Sequence, residues 1–93
     1  MIFLVRTGLT IRDSKLLEDE PLTDYEILIL NHIALGKTNK EIAKSLHVSS
    51  RTLEYYISNI YRKLGVDSRI QSVVKGIYYG YITDNMERKI RAR

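Results

Sequence analysis

Ninety-three residues without a cysteine make one small domain, which buries only about 60 to 65 per cent of its unfolded surface, and exclude disulfides and thiolate metal sites. The chain is 44% hydrophobic and 28% charged, too apolar for disorder. No apolar run approaches the roughly 20 residues of a membrane helix, and Ile2-Phe3-Leu4-Val5 stops at Arg6, too short for a signal peptide, so a soluble cytoplasmic domain is expected. The net charge of +4 is unevenly placed: residues 13–26 hold Asp13, Glu18, Asp19, Glu20, Asp24 and Glu26 against Lys15, whereas the basic excess lies downstream. Such a surface attracts polyanions or is merely solvated, and charge alone allows both.

In chain order, residues 1–21 read as an arm: a short apolar piece, Gly8, then an acidic stretch closed by Pro21. Ile2 to Val5 fit an edge strand or packing on the helices equally. From Leu22 the punctuation becomes regular. Thr23-Asp24-Tyr25-Glu26, Thr38-Asn39-Lys40-Glu41 and Ser68-Arg69-Ile70-Gln71 match the capping box, in which a hydroxyl accepts from the amide three residues on and the acid or amide side chain reaches back. Ser49 is a fourth N-cap without the reciprocal acid. Gly36, Gly65 and Gly80 stand where helices should stop. Helices over about 23–35, 39–46, 49–64 and 68–80 follow, and an all-α fold. Their apolar stripes are expected to face the core: Ile29, Leu30, Ile33 and Ala34; Ile42, Ala43 and Leu46; Leu53, Tyr56, Ile57, Ile60 and Leu64; and Val73, Val74 and Ile77.

The second and third helices with Leu46-His47-Val48-Ser49 have the pattern of a helix-turn-helix. Ala43 supplies the small residue at the helix crossing, and Ile42, Leu46, Val48, Leu53 and Tyr56 the apolar inner face. Many such motifs carry glycine in the turn. Here the position is His47, a type enriched among non-glycine residues at positive φ, so His47 is read as a turn residue rather than a ligand or base. Opposite the apolar stripe, the third helix presents Arg51, Glu54, Tyr55, Ser58 and Arg62.

Through Leu22-Thr23, Glu26, Gly36, Thr38 to Ala43, Leu46, Val48-Ser49, Thr52-Leu53, Ile57, Ile60, Lys63 to Val66, Arg69 and Val73, residues 22–82 resemble the LuxR/GerE family of helix-turn-helix DNA-binding domains. The resemblance implies a four-helix transcriptional regulator, the output domain of a response regulator or a stand-alone protein. Its third helix would enter the major groove and its fourth would form a two-fold dimer on an inverted repeat. On that footing Glu54, Tyr55 and Ser58 are the candidates for base reading. Ser49, Ser50, Arg51, Thr52, Arg62 and Lys63 are the candidates for the DNA backbone, the helix start holding phosphate through its N–H groups. Residues 1–21 are the arm and 83–93, ending Met86 to Arg93, a basic tail.

Glu54 stands where the family often has Lys, and Tyr56 where it often has His. An acid facing the groove weakens binding near phosphates but accepts from a cytosine amine, which makes Glu54 a device for rejecting wrong bases. The Glu54-Tyr55 pair resembles that of some competence-type response regulators. Tyr25 and Leu28 replace the family's common Arg and second Glu. The aromatic run Ile77 to Ile82 either closes the core over the first helix or builds a dimer face from Val74, Lys75, Tyr78 and Tyr81.

Catalysis is not expected, nor is a cofactor or metal: no Gly-rich phosphate loop is present, and His32 and His47 lack metal spacing. The rival reading is a helix-turn-helix recruited to bind and sequester another regulator, or inhibited by its own acidic segment 13–26. The expected partners are double-stranded DNA, a second copy of the chain, and RNA polymerase or a regulatory protein, with no membrane.

Overall fold

Hydroxyl side chains start every helix among the described residues. In the computed structural model, which describes residues 20–83, Thr23, Thr38, Ser49 and Ser68 are the N-caps of α1 (Asp24–Ala34), α2 (Asn39–Leu46), α3 (Ser50–Leu64) and α4 (Arg69–Tyr78). The described residues contain no strand. The segments 1–19 and 84–93, with most of the expected arm and basic tail, lie outside the described residues.

Two of the expected capping boxes are complete: Thr23 N donates to Glu26 Oε1 at 2.9 Å, and Thr38 N donates to Glu41 Oε1 at 2.8 Å. The third is displaced. Ser68 Oγ accepts from Gln71 N, but the Gln71 amide oxygen accepts from Asp67 N at 3.2 Å, one residue ahead of the cap. At Ser49 a hydroxyl replaces the missing acid: Ser49 Oγ accepts from Thr52 N at 3.1 Å and donates to Thr52 Oγ1 at 3.0 Å. His47 ends α2 at φ 58° and ψ 43°, the left-handed conformation the turn requires, and Gly65 ends α3 in the same way at φ 69°.

Helices α1 and α3 form the centre, each packing on the other, on α2 and on α4. Ile29, Leu30, Ile42, Leu53 and Ile60 are wholly enclosed between them. Arg69 ties the start of α4 to the start of α2, donating to Asn39 Oδ1 at 2.6 Å and to the Lys37 carbonyl at 2.7 Å. Charge-assisted bonds of this kind exceed neutral ones in strength.

Of the apolar stripe expected to bury α4, Val73 packs on the core but Val74 and Ile77 face outward instead. Val74 and Ile77 are each 60% exposed and Val73 is half-buried, while Ser72 and Gly76 form the inner face. The reason lies beyond the helix. After Tyr79 and Gly80 the chain turns back as a strap, and Ile82 fills the space over Gly76. A Cβ on Gly76 would stand 2.7 Å from Ile82 Cδ1 and 2.8 Å from Leu30 Cδ2. Asn31 holds the strap on α1: its Nδ2 donates to the Ile27 and Tyr81 carbonyls at 2.8 Å each, and its Oδ1 accepts from Thr83 N at 3.3 Å. Gly76→Val should therefore cost about 2–3 kcal/mol in chemical denaturation, because both neighbours of the added side chain are packed. Ile82→Ala should cost less in that background than in the natural chain, since it vacates the contested space; equal costs would show that Ile82 is not what confines position 76.

Candidate nucleic-acid interface

The helix-turn-helix is built from a dry inner side and a wet outer one. Ala43 is buried where α2 meets α3, beside the enclosed Ile42 and Leu53, with Leu46, Val48 and Tyr56 half-buried around the turn. This locks one side of α3. The other side carries Arg51, Thr52, Glu54, Tyr55, Ser58 and Arg62, all exposed, as are Ser49 and Ser50 at the entry. Because a hydroxyl takes the place of the capping acid, the first turn of α3 contains no carboxylate, unlike those of α1 and α2. The positive end of its helix dipole is thus left without a negative side chain.

The two cations at the far end of α3 already have acidic partners. Arg62 Nη1 donates to Glu20 Oε1 at 2.6 Å with both side chains more than half exposed. The bond holds the Glu20 carboxyl below its ordinary value and raises the Arg62 guanidinium further, although a pair so exposed adds little to stability. Lys63 is different. Its side chain is only 11% exposed, and its Nζ donates to Glu26 Oε1 at 2.8 Å and to the Pro21 carbonyl at 3.4 Å. Burial opposes the charge on Glu26, yet the Lys63 and Thr23 hydrogen bonds outweigh it and hold the carboxyl below its ordinary value.

On α4, Ile70, Val74, Ile77 and Tyr78 are 60 to 80% exposed. Beside them a shallow groove of about 330 Å³ is lined by Gly65, Val66, Ile70, Gln71, Val74 and Lys75. Lys75 lies half-buried with its Nζ 5.8 Å from the centre of the Tyr79 ring. The aromatic run divides between the two alternatives read from the sequence: Tyr78 and Tyr79 face solvent, whereas Tyr81 is half-buried against the core and its hydroxyl accepts from Leu22 N at 3.3 Å. His32 is buried in α1, where Lys37 Nζ lies 3.0 Å from its Nδ1. Among the described residues no three His, Asp or Glu side chains group as metal ligands, and no helix is long and apolar enough to cross a membrane.

Residues 20–75 match the family of bacterial regulatory proteins, luxR family, also called GerE. The chain belongs to that family. Among curated relatives of this luxR-family chain is the transcriptional regulatory protein ComA of Bacillus subtilis (strain 168), 46% identical over 57 residues that make 61% of this chain and 27% of ComA. The transcriptional activator protein AhyR of Aeromonas hydrophila is 33% identical over 91 residues, 95% of this chain and 35% of AhyR. The chain thus spans about a third of the length of these relatives. Of solved structures, the ComA DNA-binding domain in complex with the anti-activator RapF superposes with a TM-score of 0.58 at 45% identity, covering 59% of this chain and 95% of that domain. The response regulator ChrA of a heme-sensing two-component system superposes at 0.67 with 30% identity, covering 71% of this chain and 33% of ChrA. The four-helix all-α fold and its luxR-type helix-turn-helix are those of transcriptional regulators.

Two residues that shape this luxR-family surface, Glu20 and Tyr25, carry no local signal of their role in the sequence. Glu20 was legible only as one acid in a cluster, 42 positions from Arg62. Tyr25 departs from the family's pattern, and its ring lies 5.0 Å from that of Tyr56, which lies 5.8 Å from that of Tyr55. No local spacing announces contacts over such separations.

Proposed function

We propose that this chain is a sequence-specific regulator of transcription that binds double-stranded DNA as a homodimer, with α3 lying in the major groove. The observation that carries this reading is the outer face of α3, where Arg51, Glu54, Tyr55, Ser58 and Arg62 stand exposed on a helix whose opposite face is fixed in the core. A groove about 12 Å wide admits such a helix.

In this reading Glu54, Tyr55 and Ser58, on the first two turns, reach base edges. Ser49, Ser50, Arg51 and Thr52 hold a phosphate at the acid-free start of α3. Arg62 meets the backbone further along by exchanging Glu20 for phosphate, and Lys63, deep in its pair with Glu26, supports that end at longer range. The outward apolar face of α4 makes the two-fold contact through Val74 and Tyr78, with Lys75 and Tyr81 at its border. Two copies of α3 then fall in successive major grooves of an inverted repeat, about 34 Å apart. The domain works in the cytoplasm, performs no catalysis, and takes neither cofactor nor metal.

The test is selection of duplexes from a random pool by the full chain, followed by titration of the enriched site at two salt concentrations. An inverted repeat bound with a steep salt dependence is the expected result, since each phosphate contact releases counterions. Weak, flat association with every duplex would reject it. The Glu54→Lys chain should bind unselected DNA about threefold to tenfold more tightly through added phosphate attraction and tolerate more base changes; unchanged discrimination would remove Glu54 from the base readers.

A second reading is favoured by the complex of the ComA DNA-binding domain with the anti-activator RapF. On that precedent a regulatory protein docks on this domain and controls its access to DNA. RNA polymerase is the other protein that the proposed function calls for at a promoter.

A further inference from the structure

Tyr25 lies on α1, outside the helix-turn-helix, yet it is joined to the exposed face of α3 by aromatic contacts. Its ring meets Tyr56 edge to face with centroids 5.0 Å apart and planes at 70°. Tyr56 meets Tyr55 in the same manner at 5.8 Å and 70°. Tyr25 and Tyr56 are half-buried and packed on the core, whereas Tyr55 is 65% exposed.

We propose that Tyr25, acting through Tyr56, is a specificity-determining positioning residue that sets the direction in which Tyr55 presents its phenol to DNA. This rests on the reading of α3 as the recognition helix. An exposed tyrosine on a helix has two accessible χ1 rotamers, and a phenol that samples both contacts no single base edge well. The ring edge of one tyrosine favours the face of its neighbour, so the Tyr56 ring selects among the orientations of Tyr55. Tyr56 can do so only while its own ring is held, and the ring that holds it belongs to α1. A residue of the supporting helix thereby enters the reading of sequence without touching DNA.

The experiment uses the full chain, its selected duplex, and single-base-pair variants of that duplex. Tyr25→Leu keeps the apolar bulk but removes the ring. It should reduce discrimination about threefold to tenfold, at the low end of the value of one good base contact, at the base pair whose discrimination Tyr55→Ala abolishes. Binding to unselected duplex and helicity by circular dichroism should not change. Tyr25→Phe should restore discrimination, and Tyr25→Leu should add nothing in a Tyr55→Ala chain. Tyr25→Met, a second ringless replacement, repeats the comparison where leucine disturbs packing. A uniform loss of affinity for all duplexes, failure of phenylalanine to restore discrimination, or an effect that persists without Tyr55 would each overturn the proposal. If the natural chain selects no sequence at all, the recognition-helix reading falls and this inference with it, an outcome visible before any variant is made.

Discussion

Replacing Glu26 by glutamine should remove about 3 kcal/mol of folding free energy, measured by urea denaturation near neutral pH. The glutamine oxygen can still accept from Thr23 N and keep the cap, but Lys63, its side chain only 11% exposed, loses its hydrogen-bonded counter-charge. Lys63→Met should cost a similar amount for the complementary reason, because the Glu26 carboxylate then lies buried and unpaired. The double replacement should cost less than the two single losses combined, a coupling that an independent pair of sites would not show. A pH series separates this pair from the rest of the domain. The Lys63 and Thr23 hydrogen bonds hold the Glu26 carboxyl below its ordinary value, so its contribution is fully present above the ordinary carboxylate range and is lost as pH falls through the lowered folded value. The gap in stability between the natural chain and Glu26→Gln should accordingly narrow on acidification. A gap constant down to the acid limit would mean that the pair's charge is not what stabilises the contact. A domain of this size has only about 5–15 kcal/mol of stability in total, which makes this pair one of its principal supports.

Val74→Asp should lower affinity for the selected inverted repeat about a hundredfold, the order of advantage gained by linking two binding units. Affinity for an isolated half-site should stay unchanged. Val74 is 60% exposed and flanked on the same outer face by Ile70, Ile77 and Tyr78, so a carboxylate there leaves the folded monomer intact. In a two-fold contact each aspartate would meet an apolar patch and its own symmetry mate, and like charges brought together in a desolvated interface repel. Titration of full and half sites, with sedimentation of the free protein, gives the decisive comparison. Equal affinities of the natural and Val74→Asp chains for the full site would place the dimer contact elsewhere than on α4.

Much of the fold could be read from local chemistry. Thr23, Thr38, Ser49 and Ser68 act over three or four residues, and each begins its helix as its sequence context predicts. His47 takes the left-handed turn because histidine tolerates positive φ where most side chains do not. The exposed face of α3 was legible as well, since the 3.6-residue period that buries Leu53, Ile57, Ile60 and Leu64 turns Arg51, Glu54, Tyr55, Ser58 and Arg62 outward. Helix α4 shows where this reasoning stops. Its Val74 and Ile77 have the spacing of a core stripe, but apolar periodicity says only that residues share a face, and which face is covered depends on what packs against it.

The helices, their N-caps, the turn geometry of His47 and the polar face of α3 are thus legible in the chain, because each follows from interactions within one or two helical turns. Packing between elements, by contrast, places Ile82 and the strap held by Asn31 over Gly76 and leaves Val74, Ile77 and Tyr78 outward. The same packing encloses Lys63 with Glu26 while Arg62 lies open beside Glu20, and it brings the Tyr25 ring against that of Tyr56. Apart from the local contact of Ile82 with Gly76, these pairings join residues about 30 to 50 positions apart, and a local pattern carries no record of which distant side chain will occupy the space beside it.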